Sequence, residues 1–203
     1  MSESWSNLTN MAESAARGGK YDEAKDCYKR AMDDADARKD ANNSYYSRCS
    51  LAGLLRLLDD YAPAERLLKE ATDMRYVHPN LAKEPVSPIT DLERILAKQN
   101  RMQEVEALHY MDAKKMMEMF GRDSFECKMS LMALAKAYGT TIKDLEKSQQ
   151  IFEEVLEWAN VQEPVTRKMI YNTYDGVMRG AGLHAEADAA QQRLEALKSQ
   201  AAV

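Results

Sequence analysis

The feature that most constrains this chain is a small core-type residue that returns at a nearly constant interval. It falls at Ala24, Ala64, Val105, Ser148 and Ala187, so the intervals are 40, 41, 43 and 39 residues. A period of this length, carried over nearly the whole chain, is typical of stacked supersecondary units. A single globular core would not need it.

Each unit has the pattern of two amphipathic helices joined by a short turn. In the first unit the core-facing residues before the break at Gly18-Gly19 are Leu8, Met11, Ala12 and Ala15, and those after it are Tyr21, Ala24, Tyr28 and Ala31. This i, i+3, i+4, i+7 spacing marks one helix face. Strong helix formers dominate the chain, which contains only 8 Gly and 5 Pro. The sequence therefore predicts an all-α fold.

The repeats predict five helical hairpins within a single repeat domain covering residues 1–203. Their expected bounds are near 5–41, 42–80, 86–122, 124–162 and 164–199. The fourth hairpin has an extra residue in its turn. The connection at 76–88 holds three of the prolines, so neither flanking helix is expected to run through it. It is either an ordered loop or a flexible hinge.

Composition excludes several classes of function. A net charge of −5 argues against a nucleic-acid partner, because phosphate neutralisation needs a basic face. Apolar runs are too short for membrane insertion, and the N-terminus lacks the pattern of a secretion signal. The odd, widely spaced Cys27, Cys49 and Cys127 indicate a reducing compartment, so a cytoplasmic location is expected.

Chemistry-bearing motifs are not evident. His78, His109 and His184 fall in different repeats without carboxylate or cysteine partners at ligand spacing, and we interpret them as structural. The GGK at 18–20 lacks the rest of a phosphate-binding loop. The sequence therefore predicts a non-enzymatic protein without cofactor or metal.

Two segments carry a resemblance to a known family. LTNMA at 8–12 and GKYDEAKDCYKRA at 19–31 resemble tetratricopeptide repeats (TPRs), and more narrowly the lengthened repeats of kinesin light chains. The resemblance covers about residues 5–199, with VHPNLA at 77–82 and GRDSFEC at 121–127 where that family has its loop. It implies a right-handed α-solenoid of about five hairpins whose first helices line a concave groove. The motor-associated role of kinesin light chains is not carried over.

Helical geometry predicts which first-helix residues face that groove. The basic members are Arg17, Arg56, Arg94, Lys98, Lys136 and Arg179, against the acids Glu13 and Asp91. The others proposed as peptide-binding are Asn10, Tyr46, Ser50, Met129, Met132 and Asn172. A cleft lined by one sign of charge attracts the opposite sign. We therefore expect an acidic peptide segment of another protein as the ligand, unless these are ordinary solvated charges.

Several alternatives stay open. Gly53 and Gly176 lie inside groove-facing helices, either to admit a ligand backbone or to relieve crowding. The methionine-rich run at 111–120, followed by KMSLM at 128–132, either offers an adaptable apolar surface to partners or packs in the core. We expect Met116 and Met119 to pack inward, and Met129 and Met132 to be exposed. The alanine-rich last helix (185–200) is a polar cap or a homodimer interface. The chain could also be the sensory TPR part of a regulatory system.

Overall fold

A computed structural model describes residues 4–200, and these contain helices and connections without a β-strand. The chain divides into two compact units, one ending at Gln99 and the other beginning at Asn100. The helices of the first unit are α1 (Trp5–Arg17), α2 (Tyr21–Ala37), α3 (Ala41–Leu57), α4 (Tyr61–Val77), α5 (Pro79–Ala82) and α6 (Pro88–Lys98).

The second unit begins with the longest helix of the described chain. Its helices are α7 (Met102–Phe120), α8 (Phe125–Ala137), α9 (Leu145–Ala159), α10 (Pro164–Gly180) and α11 (His184–Gln200). A short π-helical segment, Tyr138–Ile142, follows α8 directly.

Helices adjacent in sequence pack together in the first unit. Helix α1 packs on α2, α2 on α3, and α3 on α4, while α4 also contacts α6. The first helices of consecutive hairpins touch as well, α1 with α3 and α3 with α6. Ala12, Ala24, Ala31 and Ala64 are fully buried. Their small side chains let the helix axes approach closely.

The second unit has the same order of contacts, α7 with α8, α8 with α9, α9 with α10 and α10 with α11. Helices α8 and α10 again touch as first helices of consecutive hairpins. Its core is formed by larger side chains, among them Phe152, Ile170, Tyr171 and Met178, each fully buried.

Three hairpin turns share one hydrogen-bond pattern. In each, a backbone N–H donates to the carbonyl five residues earlier, which is the Schellman motif that ends many helices. The bonds, all of 2.9 Å, run from Lys20 to Ala15, from Asp60 to Leu55 and from Leu183 to Met178. The residue before each donor has a positive φ: 73° at Gly19, 57° at Asp59 and 81° at Gly182. Glycine adopts this conformation without strain.

The turn of the fourth hairpin contains one more residue than the other three. Tyr138 stands where Ala15, Leu55 and Met178 stand in the other repeats, and its carbonyl accepts from Asp144 N–H, six residues on, at 2.9 Å. The π-helical segment therefore accommodates the extra residue that the sequence indicated.

The proline-rich connection at 76–88 is ordered against α3. Helix α4 ends at Val77 and α5 forms a single turn, with Leu81 fully buried. The Tyr45 hydroxyl donates to the Val86 carbonyl at 2.5 Å, and the Tyr46 hydroxyl donates to the Glu84 carboxylate. The ordered-loop interpretation is therefore the correct one.

Two residues expected in the core are exposed instead. Met11 and Tyr21 both lie largely in solvent, although the helical spacing assigned them to the packed face. Ala12 and Ala24, beside them on the same faces, are fully buried. The buried stripe on these helices is therefore narrower than the sequence pattern indicated.

Candidate protein-interaction surface

The exposed face of the first helices in the first unit carries most of the predicted binding residues. Helices α1, α3 and α6 form consecutive neighbours, so side chains on their outer faces share one surface. Asn10, Ser50 and Lys98 are exposed there. Arg17 is also exposed and lies 3.9 Å from Glu13, one turn earlier on α1.

One carboxylate partly neutralises two of the predicted arginines. Asp91 Oδ1 lies 3.1 Å from Arg56 Nε and 2.9 Å from Arg94 Nη1. The Arg56 contact joins α3 to α6, and both of its side chains are about three-quarters buried. Arg56 is thus a structural link between first helices, whereas Arg94 remains mostly exposed.

Tyr46 is less available than the sequence indicated. Its ring is half-buried and packs edge-on against Tyr45, with 5.7 Å between the ring centroids. The hydroxyl is bound to the Glu84 carboxylate, which raises the pKa of Tyr46 to about 12. The side chain anchors the 76–88 connection.

In the second unit the predicted surface is mixed. Lys136 and Asn172 are exposed on α8 and α10. Arg179 is held by two acids, Asp175 at 3.1 Å and Asp188 at 2.6 Å. These bonds raise the pKa of Arg179 and leave little uncompensated charge.

The predicted exposure of the methionines is wrong. Met129 and Met132 are half-buried and pack against the core that contains Val155 and Tyr171. Met116 is fully buried, as expected, and Met119 is half-buried. Met111 and Met117, which we did not single out, are exposed.

The two groove-facing glycines are not relieving crowding. A Cβ built on Gly53 or Gly176 would meet nothing within 4 Å, so that alternative is wrong. Gly139 is the opposite case, because a Cβ there would lie 2.4 Å from Val177 Cγ1 and 2.8 Å from Ser148 Oγ. Close packing thus requires glycine in the π-helical turn and not in α3 or α10.

Groups that could do chemistry are dispersed. Within residues 4–200 no cluster of three or more His, Cys, Asp or Glu side chains could hold a metal ion. The three cysteines are buried thiols. His109 is buried, His78 half-buried and His184 exposed. None of the helices in the described residues is long and apolar enough to cross a membrane.

Comparison with known proteins agrees with this architecture. Residues 3–76 match the family model of the tetratricopeptide repeat. The crystal structure of BtubC (BKLC) from P. vanneervenii is similar with a TM-score of 0.64 and 16% identity, covering 95% of this chain and 79% of that one.

Two further crystal structures show TPR-like repeats of a Podosopora anserina protein assigned as a kinesin light chain, one of them a point variant. Each matches with a TM-score of 0.65 and 15% identity, and each covers 96% of this chain. The two matches cover 94% and 95% of those chains. No curated protein matches the sequence.

The fold is therefore a helical solenoid of repeats, like that of TPR proteins. Its structural neighbours are of the kinesin light chain type, which confirms the resemblance found in the sequence. TPR repeats generally mediate protein–protein interactions. At identities of 15–16%, the likeness to these structures is a likeness of fold only.

Proposed function

We propose that this protein is a non-enzymatic interaction module that binds an acidic peptide segment of another protein on the face of its first helices. The supporting observation is the excess of basic side chains on the predicted groove face of α1, α3 and α6. Four cations, Arg17, Arg56, Arg94 and Lys98, stand there against two acids, Glu13 and Asp91.

The ion pairs sharpen where such a segment would bind. Arg56 is committed to Asp91, and Arg17 lies near Glu13. Arg94 and Lys98 are one turn apart on α6 and both are exposed. On the predicted groove face of α6 a carboxylate meets these two cations and the single acid Asp91. A guanidinium can bind a carboxylate through two parallel hydrogen bonds. The first unit is therefore the better candidate than the second.

The proposal includes one continuous repeat domain and a cytoplasmic location. Each compact unit contains a single tryptophan, Trp5 or Trp158, so the variants Trp158→Phe and Trp5→Phe report one unit each. A continuous array predicts coincident urea-unfolding midpoints for the two reporters, since neighbouring repeats stabilise one another. Midpoints well apart would show two independent domains.

The binding proposal is tested by reversing the exposed charges. We expect the double variant Arg94→Glu/Lys98→Glu to lose most partners captured from host lysate, and the loss to grow less marked at high salt. The matched control is Lys29→Glu/Arg66→Glu, which changes net charge equally on exposed second-helix positions of the same unit.

Circular dichroism establishes that each variant is folded. Equal capture by the Arg94→Glu/Lys98→Glu variant and the wild type would rule out an acidic ligand on this face. If the Lys29→Glu/Arg66→Glu control lost as many captured partners, the loss would be due to the change in net charge and not to this face.

Self-assembly through α11 and a sensory role have less support. The outer face of α11 exposes Asp188, Gln192 and Glu195 beside small alanines, and none of the exposed large hydrophobic residues of the described chain lies on it. Light scattering over a range of concentrations tests the homodimer. Gene context tests whether the chain is the sensory part of a regulatory system.

A further inference from the structure

A second surface of different character lies in the second unit, between α7 and α8. It is a groove of about 260 Å³ whose walls include Tyr110 and Met117, with Leu131 and Leu134 on the α8 side. This volume is below the roughly 300–1,000 Å³ of small-molecule pockets. It fits a single large side chain better than a whole metabolite.

Two large apolar side chains in the wall of this groove are exposed. Tyr110 is 62% exposed and Met117 is 41% exposed, and they stand seven residues apart on one stripe of α7. Two turns of helix bring such residues onto the same face. Two large apolar side chains exposed on one stripe give a partner more apolar contact than a single exposed residue, which needs no explanation.

The corresponding groove of the first unit has an equivalent buried leucine at its base, but its second-helix wall differs in polarity. Leu51 precedes Ala64 by 13 residues and Leu134 precedes Ser148 by 14, one more because of the extra residue in the fourth turn, so the two leucines are equivalent. Both are buried and line their grooves. In the first unit the wall that α2 supplies has one apolar member, Met32, and otherwise carries charged residues: Asp22, Lys25, Asp26, Lys29 and Asp33. The apolar wall of α7 is thus not a requirement of the repeat fold, because α2 fulfils the same structural role with charges.

The rim of the groove is basic. Its charged lining residues within the described chain are Lys114 and Arg122. Arg122 binds Glu154 through Nε at 3.1 Å and Nη2 at 2.6 Å, yet its side chain is still 65% exposed. The nearby Glu118 is paired with Lys115 at 3.0 Å. Because Glu154 compensates much of the Arg122 charge and the exposed Asp123 lies beside it, the positive charge that a ligand meets at this rim is chiefly that of Lys114.

We propose that the α7–α8 groove docks a peptide segment of another protein, which inserts one large apolar side chain between Tyr110 and Met117. A carboxylate next to that side chain binds Lys114 and Arg122. The site is separate from the first-helix face proposed above, because its walls come from a second helix and the opposite side of α8. It can therefore be tested independently.

The probe is a displayed library of random twelve-residue peptides, selected on the full chain and then measured singly by fluorescence anisotropy. We expect enriched peptides to combine a large apolar residue with a neighbouring Asp or Glu. Met117→Ala and Lys114→Glu should each weaken such a peptide about tenfold, as for residues central to an interface.

The chain offers two matched controls on the same helix. Met111 is exposed to a similar degree as Met117 but does not line the groove, and Lys115 is next to Lys114 but faces Glu118. Met111→Ala and Lys115→Glu should change affinity by less than about twofold. Arg94→Glu/Lys98→Glu should also leave these peptides bound.

Three results would overturn the proposal. The first is that every enriched peptide loses affinity with Arg94→Glu/Lys98→Glu and keeps it with Lys114→Glu, which favours the first-helix face alone. The second is equal loss in the Met117 and Met111 variants. The third is a concentration-dependent dimer in sedimentation that Met117→Ala abolishes, because the occupant would then be a second copy.

Discussion

Each of the two units has a glutamate at the equivalent position of a second helix, but the two glutamates have different partners. Glu70 follows the buried Ala64 by six residues in α4, and Glu154 follows the buried Ser148 by six residues in α9. Each binds a cation from the first helix of its own hairpin, Arg48 in the first unit and Lys128 in the second.

The first unit shares its cation between two acids. Arg48 Nε lies 3.0 Å from Glu70, and its Nη1 and Nη2 bind the two oxygens of Asp36 at 3.0 and 2.9 Å. The side chain is 15% exposed. Asp36 belongs to α2, so this arginine joins three helices, and the loss of Glu70 leaves the bidentate Arg48–Asp36 pair intact.

The second unit shares its acid between two cations. Glu154 lies 2.7 Å from Lys128 Nζ and 2.6 Å from Arg122 Nη2. The Lys128 side chain is only 2% exposed, and its other carboxylate contact is the exposed Asp123 at 3.3 Å. The equivalent glutamates thus belong to different networks, and in the second network Glu154 is the nearer carboxylate of a buried ammonium.

The largest expected difference follows from this contrast. Glu154→Gln should lower the free energy of unfolding by about 3 kcal/mol, because a buried ammonium loses its main partner. Glu70→Gln should cost about 1 kcal/mol, because Arg48 keeps Asp36. Urea unfolding followed by the Trp158 and Trp5 reporters measures both. Equal losses of unfolding free energy in the two variants would show that the two glutamates contribute equally to stability.

The same contrast predicts a dependence on pH. Hydrogen bonds from Arg122 and Lys128 hold the pKa of Glu154 below its usual 4.5, so its contribution is present above pH 4.5 and is lost as the pH falls through the folded-state value. The stability gap between wild type and Glu154→Gln should therefore narrow between pH 7 and about pH 3. A gap that stays constant would assign the effect to packing.

The π-helical turn gives the next largest effect. Gly139→Ala should destabilise the second unit by about 2 kcal/mol, because the added Cβ overlaps Val177 and Ser148. The Trp158 reporter should record the change, by urea unfolding. If the variant matched wild type, Val177 would have to move at negligible cost.

The smallest effects have the opposite sign. Gly53→Ala and Gly176→Ala should each stabilise the protein by about 0.5–1 kcal/mol, because the added methyl meets open space inside a helix. Thermal unfolding of each variant checks this. If a ligand backbone approaches these sites, Gly53→Ala should also weaken binding of acidic peptides to the first unit, which a purely conformational role would leave unchanged.

Much of the fold could be predicted from the sequence because its signals are local. The small residues and the glycine turn at 18–19 identified the helices, and the extra residue before Asp144 identified the unusual turn. Each of these depends on contacts within one hairpin. The exposure of Met129 and Met132 could not be predicted in this way, because their environment is set by α9, α10 and α11.

The candidate surface was predicted only as a set of positions. Helical geometry put Arg56, Arg94 and Asp91 on first helices, but not the 3.1 Å contact that ties Arg56 to Asp91. That contact requires two helices about forty residues apart in sequence to lie side by side. The spacing of residues along one helix does not show how close it lies to another helix.

The sequence by itself determined the helical class, the period and the turns, because backbone hydrogen bonding and helix periodicity act over a few residues. Tertiary structure decided which charges are compensated, which methionines are exposed and where glycine is required. Those properties depend on side chains that different helices bring together. On the predicted basic face, for example, Arg56 is paired with Asp91, whereas Arg94 and Lys98 on α6 remain exposed.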